Sequence, residues 1–531
     1  MSHKIQNIEN ILQPLHERGT ISDQAYNKVM PTGSQPGILY GLCKVHKVQV
    51  QSTNNEIDET LTLPFRPILS AINTPTYHLA KFLIPMLEPL TKNNFTVRDT
   101  FSFVEDLKHQ ESAFMSTYDV DSLFTNIPLE ETISICVNEL YTQDDMIING
   151  IKKAEFQHLL RLATKESLFI FDGEIYSQTD GVAMGSPLGP TLANIFLCFH
   201  EKRWLESCPR EFKPLYFKRY VDDIFCLFTS ENQVNKFHRY LCSRHVNMNF
   251  SKEVEKDSNI SFLDVSVTKI NNEYITSLYR KSTFSGLYMN FKSHVPLVYK
   301  KGLIFCLLFR LYSICSNWEL IHKEIKELKC LLIRNRYPLS MINQCTYIFF
   351  NKLFVKKPLV DTVSKKEFVM CLPFLGRETT SIKNKLNKLF SLMFPAFKLK
   401  IVLNSGTKIS SLLSFKDKIP LHIRSFVLYK YTCGSCNAAY IGKTKRHFKV
   451  RMCEHLGISY RTGKPLKYDK RKTTAVREHL LCENHAADFT NFKVLGNAKN
   501  DYILQIKESL LIKKEKCDLN KQVKCLKLEL F

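Results

Sequence analysis

The sequence contains no apolar stretch long enough to cross a membrane or to serve as a secretory signal. Residues 1–19 lack an apolar core, and the longest strongly apolar run, from Leu303 to Phe309, ends at Arg310. No internal repeat or low-complexity tract is visible either. We therefore expect an intracellular, soluble protein with no membrane partner.

Acidic residues are too few to balance the basic ones. The chain has 74 Lys and Arg against 51 Asp and Glu, which gives a formal net charge of +23. A partner that carries many negative charges, as a phosphate backbone does, fits this balance. The 17 cysteines are an odd number, and without a secretory signal they indicate reduced thiols with one metal site rather than a disulfide framework.

The chain is long enough for two or three domains, and its 44% apolar residues exclude wholesale disorder. Short β-rich runs alternate with amphipathic stretches in the central part, and one of those runs extends from Ile260 to Val267. After Pro296 the apolar spacing becomes helical. The predicted fold class is α+β, with boundaries that divide the chain into a lead-in with fingers (1–100), a sheet domain (101–295), a helical subdomain (296–364), a connector (365–425) and a terminal α+β domain (426–531).

Two segments of the sheet domain combine carboxylates with β-forming residues. The run from Ser116 to Phe124 predicts a strand that ends in a turn, with Asp119 and Asp121 on one face. The run from Arg219 to Phe228 places Asp222 and Asp223 between apolar β-formers, as at a hairpin tip. Burial of so much negative charge is costly without cations, so we predict two Mg²⁺ ions here. The alternative makes each aspartate a turn or capping residue.

A loop rich in glycine and proline lies between the two acidic segments. It extends from Gln178 to Pro190 and precedes an amphipathic stretch that predicts a helix from Leu188 to Trp204. Glycines here allow the backbone to approach a template base and a sugar closely. Gly185, Ser186 and Pro187 are therefore candidate substrate-binding residues.

The order of these segments resembles the successive core motifs of reverse transcriptases. Short segments beside these motifs resemble the Penelope-like retroelement polymerases, which are relatives of telomerase reverse transcriptase. These segments are Tyr40–Lys47, Arg66–Ile68, Ser122–Pro128, Phe262–Asp264 and Tyr279–Lys281. The resemblance implies a right-hand polymerase with fingers, palm and helical thumb, whose metal ligands are Asp119, Asp222 and, less directly, Asp223, because adjacent strand residues point to opposite faces.

The resemblance also implies roles for residues around the carboxylates. Phe124 takes the position of the bulky residue that excludes the ribose 2′-hydroxyl, which favours dNTPs; an ordinary core phenylalanine is the alternative. Lys44, Lys47 and Arg66 match basic finger residues that face the incoming triphosphate, with solvated surface charges as the alternative. The thumb would grip the template–primer duplex through its basic face.

The C-terminal region resembles the GIY-YIG endonucleases that many Penelope-like elements carry. Tyr429 and Tyr440 lie eleven residues apart on predicted strands, Arg451 follows on a predicted helix, and Glu508 and Asn520 come later. The resemblance implies that a tyrosine hydroxyl helps to activate water, that Arg451 steadies the phosphate and that Glu508 holds one Mg²⁺. The first strand lacks the Gly-Ile pair, and a domain that only binds nucleic acid is the alternative.

A CxxC motif, Cys433 and Cys436, falls in the turn between the two predicted strands of this region. His479 and His485 are the nearest later pair with suitable spacing, and four such ligands would hold a structural Zn²⁺. Cys482 could replace either histidine and His455 is a further possibility. Free buried thiols are the alternative.

These observations predict an RNA-directed DNA polymerase joined to a DNA-nicking endonuclease for target-primed retrotransposition. The expected partners are an RNA template, a DNA primer, target DNA and dNTPs, and a nuclear location follows from the DNA target, with the basic run Lys467–Lys472 as a weak address signal. A decayed or host-retained copy that binds nucleic acid without catalysis is the rival prediction. A telomerase-like enzyme with a dedicated RNA is disfavoured by the nuclease-like domain.

Overall fold

A computed structural model describes the protein over residues 2–31, 35–44, 64–143, 145–165, 167–354, 366–405, 419–460, 462–469, 473–498 and 500–520. The N-terminal part contains α1 (Ser2–Glu17), α2 (Asp23–Val29), β1 (Gly37–Cys43), β2 (Phe65–Ser70), α3 (Tyr77–Leu87) and α4 (Thr100–Leu107). Ile8, Leu12 and Leu15 of α1 are buried in the main hydrophobic core, so the lead-in packs together with the central part of the chain.

The next part of the chain alternates strands and helices. Its elements are β3 (Phe114–Val120), α5 (Leu123–Asn126), α6 (Leu129–Leu140), β4 (Ile147–Ile148), β5 (Ile151–Lys152), α7 (Lys153–Thr164), β6 (Leu168–Phe171), β7 (Glu174–Ser177) and α8 (Gly189–Glu206). Strands β2, β1, β6 and β7, in that order, form the sheet of the fingers. The predicted helix near Leu188 is α8, whose Leu192 and Phe196 are buried in the main core.

The palm sheet is built from strands that are distant in sequence. It has the antiparallel order β10, β3, β9, β8. The elements that complete this part are β8 (Tyr216–Tyr220), β9 (Asp223–Phe228), α9 (Glu231–Cys242), β10 (Phe250–Val254), β11 (Asn259–Phe262), β12 (Val265–Ile270) and β13 (Glu273–Leu278).

The β-rich run from Ile260 to Val267 forms parts of two strands joined by a turn, and not a single strand. Leu263 adopts a left-handed backbone conformation, with φ 56°, and the chain folds back into the hairpin of β11 and β12. The Asp264 carboxylate in this turn accepts a hydrogen bond of 2.7 Å from the Thr100 hydroxyl of α4 and pairs with Arg310 of the next helix. The turn therefore connects the palm to the helical subdomain.

Three helices follow the palm, as the helical spacing predicts: α10 (Leu297–Ile314), α11 (Trp318–Arg334) and α12 (Leu339–Phe354). Leu308, Leu311 and Ile314 of α10 are buried, and Leu303 and Leu307 are partly buried. Arg280, just after β13, forms a bidentate ion pair with the buried Glu324 of α11, at 3.2 and 2.5 Å. This pair is a second polar connection between palm and helices.

The predicted connector contains a β-α-β unit. Strand β14 (Lys366–Phe374), helix α13 (Arg377–Met393) and strand β15 (Phe397–Ser405) follow one another, and the two strands pair in parallel. In β15 the apolar residues Phe397, Leu399 and Ile401 alternate with lysines, a strand pattern that the prediction of a connector did not use.

The terminal region has a three-stranded antiparallel sheet. Its elements are β16 (Val427–Thr432), β17 (Ala439–Thr444), α14 (Phe448–Leu456), α15 (Ala475–Cys482), β18 (Phe492–Asn497) and α16 (Asp501–Glu515). The strand order is β17, β16, β18. Among the described helices, none has the length and apolar character needed to span a membrane.

Candidate active sites and metal centres

The two acidic segments meet on adjacent strands of the palm sheet. Asp119 near the end of β3 lies directly opposite Asp223 at the start of β9, and the Val120 amide donates a hydrogen bond of 3.1 Å to the Asp222 carbonyl. Asp119, Asp222 and Asp223 each offer a carboxylate oxygen within 4.8 Å of the others. The structure therefore brings together the three predicted metal ligands.

The turn between β8 and β9 explains how neighbouring residues share one site. Val221 has φ 56°, and β9 begins only at Asp223, so strand alternation does not separate the carboxylates of Asp222 and Asp223. Asp121 was expected on the same face as Asp119, but among the described residues its carboxylate is not part of this group of three. Asp121 lies beyond the end of β3, where its amide donates to the Asn249 carbonyl at 2.9 Å.

The electrostatics of this group fit a divalent cation. Burial raises the pKa of Asp223, and the nearby carboxylates of Asp222 and Asp119 raise it further, to about 6, while Lys281 opposes the rise. A cation between the three aspartates would remove this repulsion, and Mg²⁺ prefers such oxygen ligands. The donor set thus fits the predicted ions.

One cleft of about 960 Å³ contains the carboxylates and the other predicted polymerase residues. The predicted residues that line it, besides the three aspartates, are Lys44, Arg66, Phe124, Gly185, Ser186 and Pro187. Lys47 lies outside the described residues. The cleft therefore unites residues from the fingers, the palm and the glycine-rich loop.

The loop approaches the fingers so closely that it requires glycine. Gly185 has φ 118°, and a Cβ atom there would lie 2.3 Å from the Leu69 carbonyl oxygen of β2. The Leu69 amide also donates to the Met184 carbonyl at 2.8 Å. A side chain at residue 185 would push the loop away from the strand that carries Arg66.

Three further cleft residues were not predicted. Lys281 lies close enough to Asp223 to lower its pKa, and Tyr77 and Lys81 of α3 also line the cleft, with the Lys81 ammonium 4.6 Å from the Tyr77 ring centre. Lys281 belongs to the segment Tyr279–Lys281 that carries the family resemblance, but the sequence indicated no role for it. The i, i+4 spacing of Tyr77 and Lys81 is a pattern that could have indicated their shared face.

A second site forms around the hydroxyl of Tyr429, which is fully buried in the terminal region. Arg451 Nε of α14 donates to this hydroxyl at 3.1 Å, and His455 Nε2 lies 2.7 Å from it. His455 Nδ1 contacts the Thr474 hydroxyl at 2.9 Å. Burial and the charge of Arg451 lower the pKa of His455 to about 3, so the imidazole is neutral. His455 is thus a site residue that the sequence assigned only to zinc.

Tyr440 and Glu508 belong to the same site. The Tyr440 ring centre lies 5.4 Å from that of His455, and Glu508 of α16 affects the pKa values of both Tyr429 and Tyr440. Burial raises the pKa of Glu508 itself. The predicted constellation therefore converges in space.

Gly442 lies on the edge strand β17 and shapes this site, and Asn520, beyond the end of α16, bonds to the same strand. A Cβ at Gly442 would lie 2.7 Å from the Tyr429 hydroxyl and 2.6 Å from the Tyr440 ring, which leaves room for glycine alone. Asn520 was predicted as a catalytic residue. In the structure the Ile441 amide donates to Asn520 Oδ1 at 2.9 Å and Asn520 Nδ2 donates to the Ile441 carbonyl at 2.8 Å, so Asn520 holds the strand in place.

The four predicted zinc ligands form a compact cluster. Cys433 Sγ lies 3.4 Å from His485 Nδ1, Cys436 Sγ lies 3.4 Å from His479 Nε2, and the two histidine nitrogens are 3.4 Å apart. Tetrahedral Zn²⁺ with ordinary bond lengths separates such ligand atoms by about 3.3–3.6 Å. The cluster therefore fits zinc, and within the described chain Cys482 and His455 lie outside it.

A third group, Glu131, His200 and His245, is bonded differently. His200 Nε2 and His245 Nε2 lie 2.9 and 3.2 Å from the two Glu131 oxygens. The Asn247 amide donates to His245 Nδ1 at 3.1 Å, so the ring proton is on Nε2 and points at the carboxylate. This arrangement is a hydrogen-bonded triad and not a cation site.

Known proteins resemble parts of this chain. Residues 62–276 match the family described as reverse transcriptase (RNA-dependent DNA polymerase), and residues 287–347 match the animal helix-turn-helix domain. The second match falls on the predicted thumb. No curated protein matches the sequence.

Solved structures that resemble it include telomerase from Candida albicans in complex with a telomeric RNA fragment, at 12% identity and a TM-score of 0.40, covering 60% of this chain and 59% of that one. Another is the Sicinivirus 3Dpol RNA-dependent RNA polymerase, at 10% identity and a TM-score of 0.36, covering 63% and 71%. The chain thus spans 59% of the telomerase chain it resembles.

The family match includes every carboxylate of the cleft. Asp119, Asp222 and Asp223 all lie within residues 62–276, as do Phe124 and the glycine-rich loop. Residues 62–276 therefore resemble a reverse transcriptase domain over the stretch that holds these carboxylates.

Proposed function

We propose that the chain is the RNA-directed DNA polymerase of a Penelope-like retroelement and that its terminal region is a GIY-YIG endonuclease that nicks DNA for target-primed synthesis. The observation that carries the polymerase part is the convergence of Asp119, Asp222 and Asp223 in one cleft of the reverse transcriptase domain. The resemblance of the terminal motifs carries the nuclease part.

In the polymerase site the three aspartates hold the metal ions. Bound there, two Mg²⁺ ions would supply the charge that activates a primer 3′-hydroxyl and stabilises the departing pyrophosphate. Lys44 and Arg66 enter the cleft from the fingers, where their charges attract the triphosphate of a dNTP. Phe124 lines the same cleft and limits the space beside the sugar.

In the nuclease site a hydrogen-bond relay fixes the tyrosines. Arg451 Nε donates to the Tyr429 oxygen, so the Tyr429 proton is free to be donated to Nε2 of the neutral His455, whose Nδ1 then carries the ring proton and donates to the Thr474 hydroxyl. Tyr429 is fully buried, whereas Tyr440 is only half-buried, so the Tyr440 hydroxyl is the one that meets an attacking water. Arg451 would steady the scissile phosphate, and Glu508 would hold a single Mg²⁺.

The remaining features supply binding surfaces and stability. A structural Zn²⁺ on Cys433, Cys436, His479 and His485 joins the β16–β17 turn to α15 and the loop after it. The helix-turn-helix match and the charge of +23 support contact with a nucleic-acid backbone whose strength falls as salt rises. The partners are an RNA template, a DNA primer and target DNA in the nucleus.

Primer extension on an RNA template with dNTPs and Mg²⁺ tests the polymerase part. Asp222→Asn preserves side-chain size and is expected to reduce extension by about 100-fold or more, since removal of one group from a preorganised site has effects of that size. Asp121→Asn is the matched control, because Asp121 lines the cleft but lies outside the carboxylate group. Failure of a folded parent to extend a primer would favour the decayed-copy reading.

Nicking of supercoiled plasmid DNA tests the nuclease part. Glu508→Gln is expected to abolish nicking and to leave extension of a supplied primer intact. Glu515→Gln on the same helix is the control, since Glu515 pairs with Lys430 at the surface. If Glu508→Gln extends primers no better than Asp222→Asn, the division of labour is wrong.

A further inference from the structure

Arg219 is the largest fully buried side chain of the protein's described residues and lies three positions before Asp222. Its backbone is fixed on both sides, since its amide donates to the Phe95 carbonyl and its carbonyl accepts from the Val97 amide, each at 2.8 Å. A charged group at this depth needs partners that satisfy each of its donors. Those partners show what Arg219 does.

Its guanidinium joins helix α8 to the turn that carries the metal ligands. Arg219 Nη1 donates to the Val221 carbonyl at 2.8 Å and to the Asn194 side-chain oxygen at 2.9 Å. Nε pairs with the Glu201 carboxylate, and Nη2 contacts Cys198 Sγ at 3.4 Å. Asn194, Cys198 and Glu201 all belong to α8, so one side chain ties the turn to the helix that follows the glycine-rich loop.

Glu201 is itself held in place. It is 2% exposed, and its second oxygen accepts a hydrogen bond of 3.2 Å from Asn93. Asn93 also caps the backbone at Phe95, the residue that bonds to Arg219. The Glu201 carboxylate that binds the guanidinium is therefore held by Asn93 as well as by Arg219.

The turn that Arg219 reaches is strained. Val221 has a left-handed backbone with φ 56°, a conformation that β-branched residues avoid. Such a conformation persists only where the surroundings impose it. The Val221 carbonyl is the group that Arg219 holds, and Asp222 is the next residue.

We propose that Arg219, anchored by Glu201, is a positioning residue that imposes the left-handed turn at Val221 and so places the carboxylates of Asp222 and Asp223 for metal binding. The inference rests on the proposed polymerase function of this cleft. A lysine would keep the charge but has one ammonium group, which cannot reach Val221, Asn194 and Glu201 along three directions.

The competing explanation is that Arg219 and Glu201 form an ion pair that only stabilises the fold. The substitution Val221→Gly distinguishes this explanation from the positioning role. Glycine adopts positive φ as readily as negative φ. If Arg219 acts through the turn, Val221→Gly should recover metal binding in the Arg219→Lys background, although it restores none of the lost buried contacts. If Arg219 only stabilises the core, Val221→Gly will recover nothing.

The experiment measures Mn²⁺ binding to the full chain by electron paramagnetic resonance, beside the Mg²⁺ dependence of primer extension. Arg219→Lys is expected to weaken Mn²⁺ binding roughly 10–100-fold, as loss of groups that orient metal ligands does, with affinity for primer–template unchanged. Arg219→Lys/Val221→Gly is expected to recover most of that loss. Asn194→Ala removes one partner only and should shift binding in the same direction by less, which keeps the test open if Arg219→Lys does not fold.

Lys269→Met is the matched control for loss of a buried ion pair, because Lys269 pairs with the buried Glu255 at 3.0 Å beside the opposite end of β3. It should lower stability and leave Mn²⁺ affinity unchanged. The inference is overturned if Arg219→Lys binds Mn²⁺ like the parent, or if Val221→Gly gives no recovery, in a parent that extends primers. A parent that neither extends primers nor binds Mn²⁺ would instead overturn the proposed polymerase function.

Discussion

Replacement of Cys433 by serine is expected to remove one equivalent of zinc and to destabilise the terminal region selectively. Cys433 is fully buried, and its sulfur belongs to a cluster of four ligand atoms in which the Cys433–His485, Cys436–His479 and His479–His485 distances are each 3.4 Å. A serine oxygen is a poor substitute for a thiolate ligand, and three remaining ligands leave the ion open to exchange.

The size of the effect follows from linkage between metal binding and folding. An ion present at about 1,000 times its dissociation constant stabilises the folded state by about 4 kcal/mol. For a unit of roughly 100 residues, each kcal/mol shifts the melting midpoint by about 4–8 °C. Loss of zinc should therefore lower the midpoint of the terminal region by roughly 15–30 °C.

Metal analysis of the gel-filtered protein and differential scanning calorimetry measure the two effects. Cys482→Ser is the matched control, since Cys482 is exposed and lies between the two histidines in sequence but outside the cluster. It should keep its zinc and its melting midpoint, and primer extension should survive in both variants. Equal zinc loss in Cys482→Ser and Cys433→Ser would refute the role of Cys433 as a zinc ligand. A parent protein that holds no zinc after purification in the presence of zinc would refute it as well.

Three further predictions concern single side chains. Phe124→Ala should raise ribonucleotide relative to deoxyribonucleotide incorporation roughly 10–200-fold, the range for one lost wall of a pocket; an unchanged ratio would make Phe124 a core residue only. The pKa of His455 is about 3 in the folded protein and about 6.5 in the unfolded chain. Between these two pH values, only the unfolded chain binds a proton at this histidine. The stability of β16, measured by hydrogen exchange corrected for intrinsic rates, should then fall by up to about 1.4 kcal/mol per pH unit between pH 6.5 and 3 relative to His455→Gln, and parallel pH profiles would contradict this. Arg280→Met should destabilise by about 3–5 kcal/mol in chemical unfolding because Glu324 stays buried without a partner, and Arg280→Met/Glu324→Leu should recover much of that loss; a double variant as unstable as the single would show that the pair is not the cause.

The sequence was sufficient to predict the local structure of a site where the site residues lie within a few positions of a strong local pattern. The β-forming run before Asp119 and the apolar runs around Asp222 predicted a strand and a hairpin, and the structure has both. The CxxC motif likewise predicted a turn between two strands, because a strand pair and its tip are close in sequence.

Features that depend on distant partners could not be read in this way. Arg219 stands in a strand beside Lys218 and resembles a surface charge, and only the fold places Glu201 next to it. Asn520 was assigned to catalysis by its spacing, but its function in the fold depends on the backbone of Ile441, which is 79 residues away in sequence. Asp223 was doubted because alternation was assumed to continue through Val221, whose left-handed turn interrupts it.

The contacts of Asn520 also bear on aggregation. Strand β17 is at the edge of its sheet, and its outward-facing backbone groups at Ile441 bond to Asn520 while the Ala439 carbonyl accepts from the Leu519 amide. An unprotected edge of this kind is a template on which another chain can add a strand. Residues 517–520 thus act as a cover for the sheet, and a protein cut before Cys517 should self-associate through β17 even with its zinc cluster and tyrosines intact.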